Sequence, residues 1–271
     1  MKKILFTDLD GTLLKTDKTI SEKNREAIRQ MLDAGNCVVI TTGRVVSSAY
    51  KVAKKLGLTM PGCYMIAANG AVIYDCAAQR VVKEWTIPME YVRYLFAEAE
   101  RYGIHIQTYS DQFMLTSCNS RELEFHVSRT DTPAKVVEDV FAVLKQDPNK
   151  ILLANIDDHE CLEQFQHDHL QWEQGRISSC VSCPEYLEYG PLGVDKGSGV
   201  HFLCSYLDIP IENAYAVGDE RNDIPMIKAA GVGIAMKNAH EETKAAADYV
   251  TEHDNDHDAI AEIIYGRGLT D

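Results

Sequence analysis

The chain has 271 residues, 45% of them hydrophobic and 25% charged, with a formal net charge of −14. That length and apolar share suit one large domain or two modest ones with a full core. A surface so acidic is a poor general partner for nucleic acid or an anionic membrane, although a local cluster of cations can still hold a small anion.

In chain order, Ile4–Thr7 reads as a short buried strand. Residues 21–34 predict a helix: Ser21 can cap it, Ala27, Ile28, Met31 and Leu32 line one side, and Gly35 ends it. Cys37–Thr41 is a β-branched run, as expected for a strand buried on both faces. Val46–Leu56 is helical and stopped by Gly57, and residues 65–67 form another strand. This β-α-β-α-β order implies a parallel sheet covered by helices. The rhythm then changes. A helix at 89–101, a hairpin of 104–109 and 112–116 about Ser110 and Asp111, a helix at 121–128, a strand at 150–156, a helix at 159–169 and a strand at Ile177–Cys183 describe an α+β insert. From Tyr186 the first rhythm returns, with helices at 196–207 and 224–230, strands at 214–217 and 233–235, and 245–247 and 259–264 on the last helices. The fold class expected is therefore α/β, with a discontinuous core at 1–82 and 187–271 and an inserted domain at 83–186.

No apolar run reaches the roughly 20 residues of a membrane helix, and the three apolar residues Ile4 to Phe6 are too few for a secretory signal. Eight scattered cysteines in a chain of this size read as reduced thiols, and the expected location is the cytoplasm. Cys180 and Cys183 make the single CxxC; without a second pair nearby they read as two small strand residues rather than a zinc site.

The chemistry concentrates where strands end. Asp8 and Asp10 follow the first strand, and side chains two apart in an extended chain face the same side. Ligands of open parallel sheets bind beyond the C-terminal strand ends. Two carboxylates there can hold Mg²⁺ through oxygen, or divide labour as nucleophile and general acid/base. Gly11 permits a sharp exit, and Thr12 offers a hydroxyl and an amide to an anion. A second strand ends in Thr41, Thr42, Gly43 and Arg44, which suits phosphate oxygens. Lys196 opens a helix after a glycine-rich turn. A third strand ends in Asp219, followed by Asn222 and Asp223, a costly place for charge unless a cation is there.

"DLDGT", "TTGR", "DKGSGV" and "GDERND", in this order and spacing, resemble the haloacid dehalogenase superfamily, most of all its Cof-type phosphatases, which carry a class IIB cap between the second and third motifs. "AANGA" at 67–71 and the segment 235–251 are similar to the same subfamily. The resemblance covers both core segments, about two thirds of the chain; in the insert it extends to position and rhythm alone. It implies a Rossmann-like core with an inserted α+β cap. Asp8 would be the nucleophile and Asp10 the acid and then the base. Thr42 would bind the phosphoryl oxygens and Lys196 would neutralise charge. Gly11, Thr12, Gly43, Arg44, Asn69 and Asn222 would serve the phosphate. Asp8, Asp219 and the backbone of Asp10 would hold Mg²⁺, with Asp223 in support. The substrate implied is a small phosphorylated metabolite, with sugar phosphates as one class. Superfamily members that use water on a carbon–halogen bond lack an acid where Asp10 stands, so a dehalogenase fits poorly. The rivals are a sugar phosphomutase and a non-catalytic binder of phosphorylated metabolites.

Some residues depart from that pattern. The tail "HDNDHDAIAEII" replaces the family's more usual Asp-Gly, and its His253, Asn255 and His257 read as a solvated loop rather than metal ligands. Arg221 is bulky for its loop and faces substrate or solvent. His126, His167 and His169 on insert helices read as surface residues, and Tyr91, Tyr94 and Phe96 as core.

Overall fold

The computed structural model describes residues 1–110, 113–130 and 132–271. The chain begins with β1 (Ile4–Thr7), α1 (Glu22–Asp33), β2 (Cys37–Thr41), α2 (Val46–Leu56), β3 (Cys63–Ala67), β4 (Val72–Asp75) and β5 (Arg80–Glu84). It continues through α3 (Met89–Tyr102), β6 (His105–Tyr109), β7 (Met114–Thr116), α4 (Arg121–Thr130), β8 (Ala134–Val136), α5 (Val140–Val143), β9 (Ile151–Ala154), α6 (His159–Glu173), β10 (Ile177–Cys183) and β11 (Tyr186–Pro191). It ends with α7 (Lys196–Tyr206), β12 (Ala214–Gly218), α8 (Ile224–Ala229), β13 (Val232–Ala235), α9 (Glu241–Ala246), β14 (Tyr249–Val250) and α10 (Ala259–Gly266). No helix among the described residues is long and apolar enough to cross a membrane.

The strands build two sheets. The first runs β14-β13-β12-β1-β2-β3-β4-β5, parallel from β14 to β3 and antiparallel through the β4–β5 hairpin. Alternation in β1 sends Leu5 to one face and Ile4 and Phe6 to the other. Leu5 packs with Ala27, Ile28 and Met31 of α1 and Ile260, Ile263 and Ile264 of α10. Ile4 and Phe6 pack with Val200 and Leu203 of α7. Both faces are therefore covered, which is why the inner strands are continuous apolar runs rather than alternating ones. Ser21 caps α1 by accepting from the Asn24 amide at 3.1 Å, and Gly57 ends α2 at φ +77°.

The second sheet runs β10-β11-β9-β6-β7-β8, antiparallel except at β7–β8. On one face Ile106, Leu153 and Leu187 pack against Val92, Leu95 and Phe96 of α3 and Leu162 and Phe165 of α6. Its other face carries Tyr109, Met114, Leu152 and Tyr186, and Leu123 of α4 packs there.

The insert boundaries shift by strand pairing. Residues 187–191 were expected in the core, but β11 pairs with β9 and β10 in the second sheet, so the chain returns only after Pro191. β11 is an apolar strand filling the gap between two others, and nothing local distinguishes it from a core strand. Lys83 and Glu84, expected in the insert, pair in β5 of the first sheet. The β4–β5 hairpin was missed because β5 is almost wholly exposed and shows no apolar face. Part of the predicted 112–116 hairpin lies outside the described residues; β7 begins at Met114.

Two of the three insert histidines expected on the surface are buried. His169 is buried, stacked on Phe165 with ring centroids 4.1 Å apart. His126 is buried beside Tyr109 and Tyr186, because α4 turns the side carrying Leu123 and His126, three apart, to the sheet. His167 is exposed. Tyr94 and Phe96 pack as core residues, Tyr94 stacked on Trp172 at 4.1 Å.

Burial, with Lys150 and Arg129 adding to it, pushes the His126 imidazole down from 6.5 to about 3. Folded His126 thus stays neutral where the unfolded residue takes up a proton. Its contribution to stability is full above about pH 6.5 and is lost as pH falls toward 3. The urea midpoint should therefore drop from about pH 7 to about pH 5 more steeply in the wild type than in His126→Phe. Parallel pH profiles would show that His126 titrates normally in the fold.

Candidate active site

Three neighbouring strands end on one edge of the first sheet and present their next residues together. β1 leads to Asp8, β2 to Thr42 and β12 to Asp219. The Asp8 amide still donates to Val217 at 3.0 Å and that of Thr42 to Ile66 at 2.8 Å, so both side chains leave from rigid backbone. Lys196 is the first residue of α7, whose start is fixed by a reciprocal cap between Asp195 and Ser198. Gly70, at φ +109°, packs against that cap; a Cβ there would stand 2.1 Å from the Asp195 carbonyl.

Lys196 is buried, and its ammonium donates to Asp8 Oδ1 at 2.7 Å and to Asp223 Oδ1. The second oxygen of Asp223 accepts from the Asp219 amide at 2.9 Å and the Glu220 amide at 3.0 Å. Thr12 donates to Asp219 Oδ1 at 2.6 Å. Gly11, at φ +84°, lets the chain pass so near Asp219 that a Cβ would be 2.3 Å from its Oδ2. Burial pushes the Asp8 carboxyl up to about 7 against the pull of Lys196, with Asp223 adding to the rise. Burial, then the charges of Asp8 and Asp223, push Asp219 well above the carboxylate range. Burial works against the Lys196 charge, but Asp223 and Asp8 outweigh it and keep the ammonium protonated.

Asp8, Asp219 and Asp223 offer carboxylate oxygens that all lie within 4.8 Å of one another. One ammonium serves two of these three buried carboxylates, Asp8 and Asp223. The second oxygens of Asp8 and Asp219 have no donor among the described residues. Hard oxygen donors and uncompensated negative charge fit a divalent cation such as Mg²⁺. Asp223 has both oxygens occupied and holds the lysine and the Asp219 loop.

The Asp10 carboxylate stands outside that cluster. Arg44 grips it with two bonds of 2.7 Å, and Lys18 adds a third at 2.8 Å. Burial would raise Asp10, but Arg44 and Lys18 outweigh it and hold the carboxyl below its usual value. Asp8, Asp10, Thr42, Gly43, Arg44 and Asn222 border one cavity of about 160 Å³. Two expected phosphate ligands are otherwise engaged: the Thr12 hydroxyl bonds to Asp219, and Asn69 donates to Glu188 and accepts from Asn222 at 3.2 Å.

The second sheet closes the cavity. Lys150, immediately before β9, donates to the Gly43 carbonyl and pairs with Glu188 of β11, both at 2.7 Å. Arg44 reaches the Arg129 carbonyl at 3.3 Å, and Ser48 donates to Thr130. Glu188 could have been singled out from sequence, since a carboxylate inside the apolar strand "YLEYG" needs a partner. Lys150 carried no such signal. His253 pairs with Glu262, His257 with Asp254, and Asn255 bonds to the Leu14 carbonyl at 3.0 Å, so the tail loop is structural. Arg221 pairs with Glu242 on the exposed surface.

A family model described as haloacid dehalogenase-like hydrolase matches residues 5–264. The chain is 32% identical over 272 residues to a 5-amino-6-(5-phospho-D-ribitylamino)uracil phosphatase of Bacillus subtilis, covering 97% of this chain and 94% of that protein. It is 29% identical over 279 residues to a pyridoxal phosphate phosphatase of Escherichia coli, covering 97% of both. Among solved structures, a haloacid dehalogenase-like hydrolase from Bacteroides thetaiotaomicron superposes with a TM-score of 0.90 at 29% identity, over 98% of this chain and 100% of that one. With the family's four motifs gathered at one sheet edge and the match spanning nearly the whole length, the chain belongs to the haloacid dehalogenase-like hydrolases.

Proposed function

We propose that this hydrolase, a phosphatase like its relatives, removes phosphate from the monoester of a small metabolite, sugar phosphates included, with Mg²⁺ and through an aspartyl phosphate on Asp8. The observation that carries the reading is the buried Lys196 ammonium between Asp8 and Asp223, with Asp219 clustered beside those two carboxylates and Asp8 reaching the cavity that Thr42 and Asp10 border. Phosphoryl transfer asks the protein mainly for positioning and charge neutralisation, and these residues supply both.

In this reading Asp8 Oδ2, the oxygen not held by Lys196, attacks phosphorus. The P–O bond to the leaving group breaks as the Asp8–phosphate bond forms, and Asp10 gives the departing oxygen a proton. Water then attacks the phosphorus of the aspartyl phosphate, Asp10 takes the water's proton, and phosphate and the Asp8 carboxylate are restored. Lys196 keeps its charge throughout and orients Asp8. Thr42 and the backbone beside it receive the phosphoryl oxygens. Asp8 and Asp219 would hold Mg²⁺, with the Asp10 backbone carbonyl, and the ion, when bound, offsets charge between carboxylate and phosphate. Asp10 as found, clamped and ionised, is suited to the base step. The acid step needs Arg44 to release it, and an incoming phosphate dianion would compete for that guanidinium.

A cavity of about 160 Å³ is smaller than the roughly 300 Å³ of an ordinary ligand pocket. Most leaving groups therefore require the two sheets to part. The proposed division of labour is a first-sheet domain that performs the chemistry and a cap, the second sheet with its helices, that opens, closes and selects the leaving group.

Two measurements test the reading. Hydrolysis of p-nitrophenyl phosphate should vanish after exhaustive chelation and return with Mg²⁺; full activity in the chelated protein would reject the metal. Asp8→Asn should lower kcat to background with the fold intact. Asp10→Asn should also be very slow, yet still trap phosphate on the peptide containing Asp8 after rapid acid quench with an activated aryl phosphate. Persistent absence of that adduct from both wild type and variant would mean direct attack by water.

A further inference from the structure

A chain of buried polar side chains runs through the cap and ends on the cavity wall. It starts at Ser120, whose Oγ accepts from the Leu123 amide at 3.3 Å, leaving the hydroxyl hydrogen for His105 Nδ1, 2.9 Å away. The Gln107 Oε1 can only accept, so His105 Nε2, 3.2 Å away, carries the proton that it donates there, and burial lowers the basicity of the ring. The Gln107 amide nitrogen donates to the Tyr109 hydroxyl oxygen at 2.8 Å. Tyr109 then gives its own hydrogen to His126 Nε2, 3.1 Å away. His105, Gln107 and Tyr109 alternate along β6 on the side that faces α4, so the strand's period of two builds the row. Each link fixes the direction of the next.

The row decides the tautomer at its end. With Nε2 accepting, neutral His126 must carry its proton on Nδ1. That nitrogen is buried and has no partner among the described residues. The His126 side chain is 5% exposed and borders the same cavity as Asp8. Tyr186 borders it too, its ring 5.1 Å from that of His126, and its hydroxyl is likewise buried without a partner among the described residues. An orphaned buried donor costs stability unless something else uses it. Two side by side, on the cap wall of a phosphatase site, point to a ligand.

We propose that the His126 Nδ1–H, with the Tyr186 hydroxyl beside it, determines specificity by donating to an oxygen or nitrogen acceptor on the leaving group. The inference rests on the phosphatase reading and deepens it. The substrates are monoesters whose alcohol carries a hydroxyl, carbonyl or ring-nitrogen acceptor, and a hydrocarbon leaving group leaves both donors unsatisfied. Lys150 and Arg129 nearby disfavour a second proton on the ring, so His126 serves as a fixed donor and not as a proton carrier.

The test compares glucose 6-phosphate and pyridoxal 5′-phosphate with phenyl phosphate in wild type, His126→Phe and His126→Asn. In His126→Phe, kcat/KM for the better acceptor-bearing substrate should fall roughly 10- to 100-fold relative to phenyl phosphate. His126→Asn, whose amide nitrogen replaces Nδ1, should recover most of that ratio. A ratio unchanged in His126→Phe, through equal losses or none, overturns the proposal. Independently of turnover, ¹⁵N spectra of the wild type, assigned by the signal lost in His126→Asn, should show the proton on Nδ1 at neutral pH. A proton on Nε2, or on both nitrogens, overturns it as well. A wild type that hydrolyses none of the three esters refutes the phosphatase reading instead, and the ¹⁵N result still decides the donor.

Discussion

Everything at this site depends on one buried ammonium. Lys196 stands between Asp8 and Asp223, and without it the sheet edge would carry buried carboxylates with no compensating charge. Taking such groups out of water is expensive, and the expense is tolerable only where opposite charge and hydrogen bonds are close and well aligned. The capped start of α7 holds the lysine, the glycine at position 70 lets the loop after β3 pack against that cap, and the amides of Asp219 and Glu220 fill the second oxygen of Asp223. One positive charge does not balance three negative ones. The raised carboxyls of Asp8 and Asp219 register the deficit, and a divalent cation is the natural group to close it.

The same economy governs the cap. Lys150 and Glu188 form an ion pair with side chains only 5% and 6% exposed, at the seam between the two sheets. A buried pair is weak support for stability by itself. Here each partner also bonds across the seam, Lys150 to the Gly43 carbonyl and Glu188 to Asn69. The cap movement proposed above would break those bonds, and the pair would thereby tie closure to the loop that carries Thr42. Arg44 couples the two parts in a second way, since it holds Asp10 and also reaches the Arg129 carbonyl of the cap.

Local pattern and tertiary neighbourhood contributed differently to what could be read in advance. The helices α1, α2, α3 and α7 and the strands β1, β2 and β12 were legible because their periodicities and caps are local properties. β5 and β11 were not. The first has no buried face, and the second becomes a cap strand only because β9 and β10 lie on either side of it. His126 and His169 were misread for the same reason. A histidine on an amphipathic helix shows its period but not how deeply the facing sheet will bury it.

The sequence by itself determined the family, the α/β order and the identity of the acidic groups at the strand ends. Charge placed beyond an apolar strand is anomalous, and the anomaly is visible one residue at a time: Asp8 and Asp10 after "ILFT", Asp219 after "YAVG". Only the tertiary structure decided which of these carboxylates act together. Asp8, Asp219 and Asp223 meet although more than 200 residues separate the first from the others, because β1 and β12 are neighbours in the sheet. Asp10, two residues from Asp8, is drawn off by Arg44 and Lys18. Cap residues that face the site, Lys150, Glu188, Tyr109, His126 and Tyr186, come from four separate elements with no common motif. Their meeting is a consequence of how two sheets close on each other, and no local interaction encodes it.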